Sequence, residues 1–148
     1  MIAVDTQLLV YAHRGEMPLH EKALTALVGL ASSGDPWAIP WPCVHEFLNT
    51  VTRPRLFDPP STLDDGFAAL DRWRDSATLH FIGEGLDHYE RLRQVSVAGA
   101  IAGPLIHDAR IAAICLSHGV KTLWSVDRDF SRFPSFRASN PLIAEHST

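Results

Sequence analysis

The sequence lacks long apolar runs, a leader-like start and any cluster of cysteines. No apolar stretch approaches the roughly 20 residues that a membrane-spanning helix needs, and the N-terminus has neither a basic start nor a small-residue cleavage site. Cys43 and Cys115 are the only cysteines, and neither belongs to a C-x-x-C pair or a zinc-ligand spacing. These absences predict a cytoplasmic protein with no membrane segment and with two reduced thiols.

Positive charge is also scarce. The formal net charge is −4, so the chain as a whole does not attract nucleic acid. Lys22 and Lys121 are the only lysines among 13 basic residues, and the others are arginines. Arginine suits two-pronged contact with phosphate, but a biased genome composition would give the same count, and both explanations stay open.

Short apolar segments alternate with amphipathic ones along the chain. The segments that have the length and composition of buried strands are 2–4, 37–40, 77–83 and 120–124. Helical patterns lie between them, and this alternation predicts an α/β fold, a three-layer α/β/α sandwich around a short, mostly parallel sheet. We expect one domain over residues 1–148, although the segment after about residue 134 shows no firm pattern.

Several helices carry more detailed expectations. Segments 8–13 and 20–32 are predicted to be helical. Ser61 followed by Asp64 resembles a capping box at the start of another helix. The expected buried face of that helix comprises Leu63, Phe67, Leu70 and Trp73. A further helix is expected from Leu86 to Val95, with Tyr89 and Leu92 pointing inward.

Four acidic residues lie where strands end or helices begin. Asp5 closes the first strand, Asp127 follows the last clear one, and Asp108 lies in the first turn of a helix. Glu46 lies on the helix after the second strand, beside an apolar face. In such α/β sheets the functional crevice lies beyond the carboxyl ends of the strands, so we expect these acids to converge there.

Each acid also has an ordinary structural explanation. Asp5, Asp108 and Asp127 can cap helices or complement a helix dipole, and Glu46 can lie on a solvated face. Four carboxylates packed together would instead repel one another and raise their pKa values. A divalent cation removes that penalty, and hard oxygen ligands favour magnesium or manganese over zinc. Such an ion can activate water for phosphodiester hydrolysis.

Four stretches together resemble a known family. They are "VDTQLLVYA", "HEFLNTVTRPRLF", "HDARIAAICLSHG" and "LWSVDRDFSRF". In this order and spacing they resemble the PIN-domain ribonucleases, in particular the VapC-type toxins of toxin–antitoxin pairs, over the chain up to Phe133. The resemblance implies endonucleolytic cleavage of a structured RNA such as tRNA or rRNA, a homodimer, and an antitoxin protein that blocks the site.

The resemblance also implies roles for single residues. The catalytic acids would be Asp5, Glu46, Asp108 and Asp127. The ligands of Mg²⁺, for which Mn²⁺ can substitute, would be Asp5, Asp108 and Asp127. The hydroxyl of Ser125 would lie beside these ligands, and Asp129 would be an outer contributor to the metal site. The family usually has Asn where this chain has Gln7, whose longer amide can still hold the Asp5 carboxylate or a water.

Some arginines near these stretches are candidates for contact with RNA phosphates. They are Arg14, Arg53, Arg110 and Arg128. Such contacts would offset the acidic balance of the chain. The alternative is that these arginines only pair with nearby acids.

Two other functions stay open at this point. Asp5 can be imagined as the nucleophile of a phosphohydrolase, but that chemistry calls for a second acid at the position of Gln7. A non-catalytic module would bind RNA or a protein partner without cutting. Such a module would not need all of the acids, whereas this chain retains every one.

Overall fold

The computed structural model describes residues 1–143 and contains a five-stranded sheet in which all neighbouring strands are parallel. Residues 144–148, the end of the expected domain, lie outside the described part. The strands are β1 (Ile2–Val4), β2 (Trp37–Pro40), β3 (Leu79–Ile82), β4 (Thr122–Trp124) and β5 (Ala138–Ser139). The helices are α1 (Thr6–His13), α2 (His20–Ser32), α3 (Trp41–Val51), α4 (Leu63–Arg74), α5 (His88–Ala98) and α6 (Ile106–Ser117). The predicted α/β fold is confirmed.

The order of the strands, β3-β2-β1-β4-β5, creates the crevice of the molecule. The chain starts at the centre of the sheet, fills one side with β2 and β3, and then returns to fill the other. A parallel sheet opens a crevice where its winding reverses, beyond the carboxyl ends of the strands. Asp5 lies directly after β1, and its backbone N–H donates to the Trp124 carbonyl of β4 at 2.9 Å. The topology therefore joins two distant parts of the sequence at this edge.

The core holds the first turn of α6 firmly in place. Strand β2 is buried along its whole length, and α6 is apolar around most of its circumference, as expected of a helix packed inside a protein. Its buried residues are Ala109, Ile111, Ala112, Ala113, Ile114 and Cys115. Truncating a buried side chain such as Ile114 to alanine costs about 2–5 kcal/mol in proteins generally. The rigid position of α6 fixes Asp108, which lies at its start.

The cap of α4 differs from the prediction by one residue. Thr62, not Ser61, caps the helix, and its hydroxyl accepts a hydrogen bond from the backbone N–H of Asp65 at 3.0 Å. The Asp65 carboxylate accepts in return from the Thr62 N–H at 3.1 Å. Ser61 is drawn away because its hydroxyl bonds His13 and Arg14 instead.

The buried face of α4 is only partly as predicted. Leu70 is buried and Trp73 is half-buried, but Leu63 and Phe67 are 59% and 50% exposed. The reason is the close approach of α4 to α3, where a Cβ added to Gly66 would lie 2.9 Å from the Leu48 side chain. The smallest residue of α4 therefore faces α3, and the larger ones are turned outward.

Two further predictions are corrected at α5 and β5. Helix α5 begins at His88, and Tyr89, expected inside, is 73% exposed. Val95 is its one buried residue, and Leu92, also expected inside, is half-buried and packs against the core. Strand β5 was not predicted, since two residues carry no periodicity. It forms because β4 offers a free edge, where the Ser125 N–H donates to the Ser139 carbonyl at 2.9 Å.

The helices within residues 1–143 are too short or too polar for a membrane crossing.

Candidate functional site

The carboxyl ends of β1, β2 and β4 open into a cavity of about 570 Å³, which we call the acidic cavity. All of the predicted catalytic acids line it, namely Asp5, Glu46, Asp108 and Asp127. Gln7 lines it as well, from the first turn of α1. The expected convergence of acids from distant segments is therefore present.

Asp5 is the most enclosed of these acids, and only 6% of it is exposed. One carboxylate oxygen, Oδ1, accepts from the Thr6 N–H at 2.8 Å and from the Cys43 thiol at 3.4 Å. The other, Oδ2, accepts from the Ser125 hydroxyl at 2.7 Å. Burial raises the pKa of Asp5, the hydrogen bonds from Ser125, Thr6 and Cys43 lower it in part, and the charge of Asp127 adds to the increase. Asp5 is thus held rigidly in place.

Asp108, Asp127 and Asp129 form the tightest group of carboxylates. One oxygen of each lies within 4.8 Å of the others, a spacing that allows a single cation to be shared. Burial raises the pKa of Asp108 to about 6, and the charges of Asp127, Asp5 and Asp129 contribute in that order. These carboxylates therefore carry an electrostatic cost that a bound cation would remove.

The loop after β4 orients this group. Asp127 Oδ1 accepts from the Asp129 N–H at 2.8 Å, which caps a short 3₁₀ helix, Arg128–Arg132. The Asp127 N–H donates to the Ser125 hydroxyl at 3.0 Å, and that hydroxyl donates to Asp5. Ser125 therefore couples the buried acid of β1 to the loop that carries Asp127 and Asp129.

The closest carboxylates are not the three expected as metal ligands. Asp129, expected as an outer contributor, is in the close group with Asp108 and Asp127. Asp5 lines the same cavity, but both of its oxygens already accept hydrogen bonds. Glu46 also lines the cavity, from an exposed position on α3. The difference arises because side-chain direction after a strand depends on the turn that follows it.

The candidate arginines are divided between different parts of the surface. Arg110 lines the acidic cavity, where its Nε donates to Glu84 at 2.6 Å. Arg128 lines a groove next to the cavity. Arg14 lies in a separate cavity, bonded to Ser61, and Arg53 lines neither the acidic cavity nor this groove. The structure therefore brings two of the four to the site.

Sequence reasoning missed the role of Cys43 in this site. It was interpreted only as a reduced thiol, and both cysteines are indeed free and buried. Its position after β2, near the carboxyl edge of the sheet, was the available signal. His45 and His107 also line the cavity, beside Glu46 and Asp108 in sequence.

Known proteins resemble the chain along nearly all of its length. Residues 2–135 match the PIN domain family. Ribonuclease VapC25 of Mycobacterium tuberculosis is 33% identical over 145 residues, which cover 97% of this chain and 100% of that protein. Ribonuclease VapC43 of the same species is 32% identical over 142 residues, which cover 96% of each.

Solved structures share the fold at lower identity. VapBC2 from Rickettsia felis, bound to a DNA fragment from its promoter, has a TM-score of 0.68 and 20% identity, covering 95% of this chain and 98% of that one. VapC20 of Mycobacterium tuberculosis, a toxin that cleaves the sarcin-ricin loop, has a TM-score of 0.64 and 18% identity, covering 88% and 93%. By its match over residues 2–135 and its relatives above 30% identity, the chain belongs to the PIN-domain family, and within it to the VapC ribonucleases.

Proposed function

We propose that this protein is a magnesium-dependent endoribonuclease that acts as the toxin of a toxin–antitoxin pair. One observation carries the proposal: Asp108, Asp127 and Asp129 converge within 4.8 Å, and Asp108 and Asp127 line an open cavity that Asp5 and Glu46 also line. Membership of the VapC ribonucleases supports the reaction class. Manganese is expected to replace magnesium, since both are hard cations that take oxygen ligands.

The acids have different roles in metal binding, according to how accessible their carboxylate oxygens are. Asp108 and Asp127 are the principal metal ligands, Asp129 joins them, and Asp5 contributes through the lone pairs that its hydrogen bonds leave free. A bound divalent cation activates water and stabilises the charge that develops on a phosphodiester. Ser125 orients Asp5 by donating to it at 2.7 Å, and this bond favours the ionised form of the carboxylate.

Neighbouring groups at the same carboxyl edge of the sheet bind the substrate. Glu46 faces the cavity from α3 and helps to place the attacking water. Gln7 offers an amide from α1, and Arg110 and Arg128 offer guanidinium groups for phosphates on either side of the scissile bond. Arg14 and Arg53 are left out because they lie in neither place.

The proposed toxin has a protein partner and a defined oligomeric state. The VapBC structures of similar fold hold a toxin with its antitoxin, and we expect an antitoxin protein to cover the acidic cavity here. We expect the active species to be a homodimer in the cytoplasm, with residues 1–148 forming one nuclease domain and a structured cellular RNA such as tRNA or rRNA as substrate.

The two alternatives are less well supported. A phosphohydrolase nucleophile needs an accessible oxygen, whereas both oxygens of Asp5 are bonded and the residue is buried. A module that binds RNA without cutting it would gain nothing from closely spaced carboxylates, which repel phosphate.

An RNA cleavage assay tests the proposal. The protein, purified free of any partner, is expected to cut RNA with Mg²⁺ or Mn²⁺ and to stop when a chelator is added. Asp5→Asn and Asp108→Asn should each lower the rate by at least about a hundredfold, because each removes a charge from the metal site. Circular dichroism should show that both variants remain folded.

The matched control is Asp35→Asn, which removes a carboxylate from the exposed turn before β2. It should cut RNA at the parental rate. Cleavage that persists in Asp5→Asn or Asp108→Asn would assign the activity to another site or a contaminant. A protein that binds RNA but never cuts it with either metal would be the non-catalytic module.

A further inference from the structure

A second groove begins where the acidic cavity ends. It has a volume of about 450 Å³, shares Asp127 with the acidic cavity, and runs past the end of β4 to the edge strand β5. We call it the polar groove, after its polar lining residues, Ser125, Asp127, Arg128, Ser131, Ser139 and Asn140. An RNA strand whose scissile phosphate lies at Asp127 would continue into it.

The polar groove and the acidic cavity differ in charge. Four acids line the acidic cavity, and its Arg110 is paired with Glu84. Asp127 is the one carboxylate in the lining of the polar groove, and Arg128 forms no ion pair within residues 1–143. The polar groove is therefore the part of this edge that repels a nucleotide least and offers it a free guanidinium.

Asn140 presents hydrogen-bond donors in a fixed orientation. Its Oδ1 accepts from the Leu142 N–H at 2.9 Å, which sets the direction of the amide, and no hydrogen bond within residues 1–143 uses the Nδ2 protons. Asn140 is half-buried, directly after β5. The guanidinium of Arg128 can only donate. The two side chains together suit a ligand edge that carries oxygen acceptors.

We propose that the polar groove binds the nucleotide next to the scissile phosphate, that Asn140 selects a base by its keto oxygen O6 (guanine) or O4 (uracil), and that Arg128 binds the phosphate. This rests on the proposed function, since it assumes an RNA strand at Asp127. Adenine and cytosine carry an amino group where the keto bases carry an oxygen, so they set donor against donor. Val126 and Ala138 supply apolar contact for the ring.

The selecting residue is separate from the shared nuclease core. The PIN domain match ends at residue 135, whereas β5 and Asn140 follow it. A groove of this volume is within the range of small-ligand sites. Asn140 can therefore be altered without changing the segment that carries Asp127 and Asp129.

Nucleotide titrations test the proposal without any cleavage. The metal-free, ¹⁵N-labelled full chain is titrated with GMP, UMP, AMP, CMP and ribose 5-phosphate, and amide shifts are followed by NMR. GMP and UMP should bind roughly threefold to tenfold more tightly than AMP and CMP, the value of one hydrogen bond. The shifts should centre on Val126, Arg128, Ser139 and the side-chain amide of Asn140.

Variants at Asn140 sharpen the test. Asn140→Ala should bind all four nucleotides equally, and Asn140→Asp, which still accepts from Leu142, should prefer AMP and CMP. The control is Gln94→Ala, which removes an exposed amide from α5 and should keep the preference. Equal binding of all probes, ribose 5-phosphate included, or a preference that survives Asn140→Ala, would overturn the proposal.

The outcome is distinguishable from failure of the proposed function. A chain that prefers GMP and UMP through Asn140 but cuts no RNA would support the groove and contradict the nuclease assignment. A chain that cuts RNA with Mg²⁺ but binds all four nucleotides alike would support the nuclease and overturn the groove.

Discussion

Two of the cavities with charged lining residues can be compared, and they differ in whether their most enclosed charged groups are paired. In the acidic cavity, no ion pair within residues 1–143 involves Asp5, Asp108 or Asp127. A second cavity, of about 400 Å³, lies between the end of α1 and the start of α4. We call it the paired cavity, after the residues that pair there, His13, Arg14, Glu16 and Ser61.

The guanidinium of Arg14 is fully engaged in the paired cavity. It donates to the Ser61 hydroxyl at 3.0 Å and to the Pro59 carbonyl at 2.9 Å, and it pairs with Glu16. It also lies 4.5 Å from the centre of the Phe57 ring. These contacts tie the end of α1 to the segment before α4, so the charge serves the fold.

The comparison teaches that pairing, rather than the number of charges, separates the two roles. Every interaction of Arg14 is made within the chain and needs no ligand. The carboxylates of Asp108, Asp127 and Asp129 repel one another and lower the stability of the metal-free protein. Groups that destabilise a fold and converge in an open cavity are typical of functional sites.

The largest expected effect comes from removing a charge from the unpaired group. Asp127→Asn should weaken Mn²⁺ binding by about tenfold to a hundredfold, because the ion loses an anionic ligand. Calorimetric titration of the purified protein measures the change. Asp64→Asn, an exposed acid on α4, is the control and should bind Mn²⁺ as the parent does. Unchanged affinity in Asp127→Asn would mean that the ion is held elsewhere.

The second-largest effect is expected in the paired cavity, where removing a charge should lower stability rather than metal affinity. Arg14→Ala should lower the free energy of unfolding by about 2 kcal/mol, since it removes charge-assisted hydrogen bonds and the contact with Phe57. Urea denaturation with an unchanged m-value measures this. Arg74→Ala, whose partner Asp71 is as exposed as Arg74 itself, should change stability by less than about 0.5 kcal/mol. Equal losses in both variants would contradict the structural role of Arg14.

The third effect is a pH dependence of the metal-free protein. The pKa of Asp108 is raised to about 6 in the folded state, so the folded chain binds more protons than the unfolded one between about pH 4 and pH 6. Stability should therefore fall as the pH rises through this window. Asp108 is half-exposed, so after allowance for solvent screening the loss is about 1 kcal/mol.

Thermal or urea unfolding of the parent and Asp108→Asn across this pH range isolates that contribution. The stability of the parent relative to the variant should decline as the pH rises and recover when Mg²⁺ is added at neutral pH. A constant difference between the two proteins would show that Asp108 does not titrate abnormally.

Much of the fold could be predicted because its signals are local. The spacing of apolar residues and the Gly and Pro at its end define α2, and an uninterrupted apolar run defines β2; both agree with the prediction to the residue. The inward face of α4 could not be predicted, since it depends on how closely Gly66 approaches α3. Strand β5 depends on the free edge of β4, which is also a property of the assembled sheet.

The site could be predicted to the level of segments but not of single contacts. Strand ends meet at one edge of a parallel sheet, so the meeting of Asp5 and Asp127 follows from topology. The close grouping of Asp129 with Asp108 depends on the turn after Asp127, and the bond from Cys43 to Asp5 depends on the start of α3. The sequence shows no periodic pattern that encodes the direction of the Asp129 side chain or of the Cys43 thiol.

The smallest expected effect concerns Cys43, whose thiol donates weakly to Asp5 at 3.4 Å. Cys43→Ala should raise the pKa of Asp5 further, because a bond that favours the ionised carboxylate is lost. Mn²⁺ affinity should fall by less than about threefold. Cys43→Ser keeps a donor and should restore both values, measured by the ¹³C shift of the Asp5 carboxyl group and by calorimetry. If alanine leaves the pKa of Asp5 unchanged, the thiol only fills space.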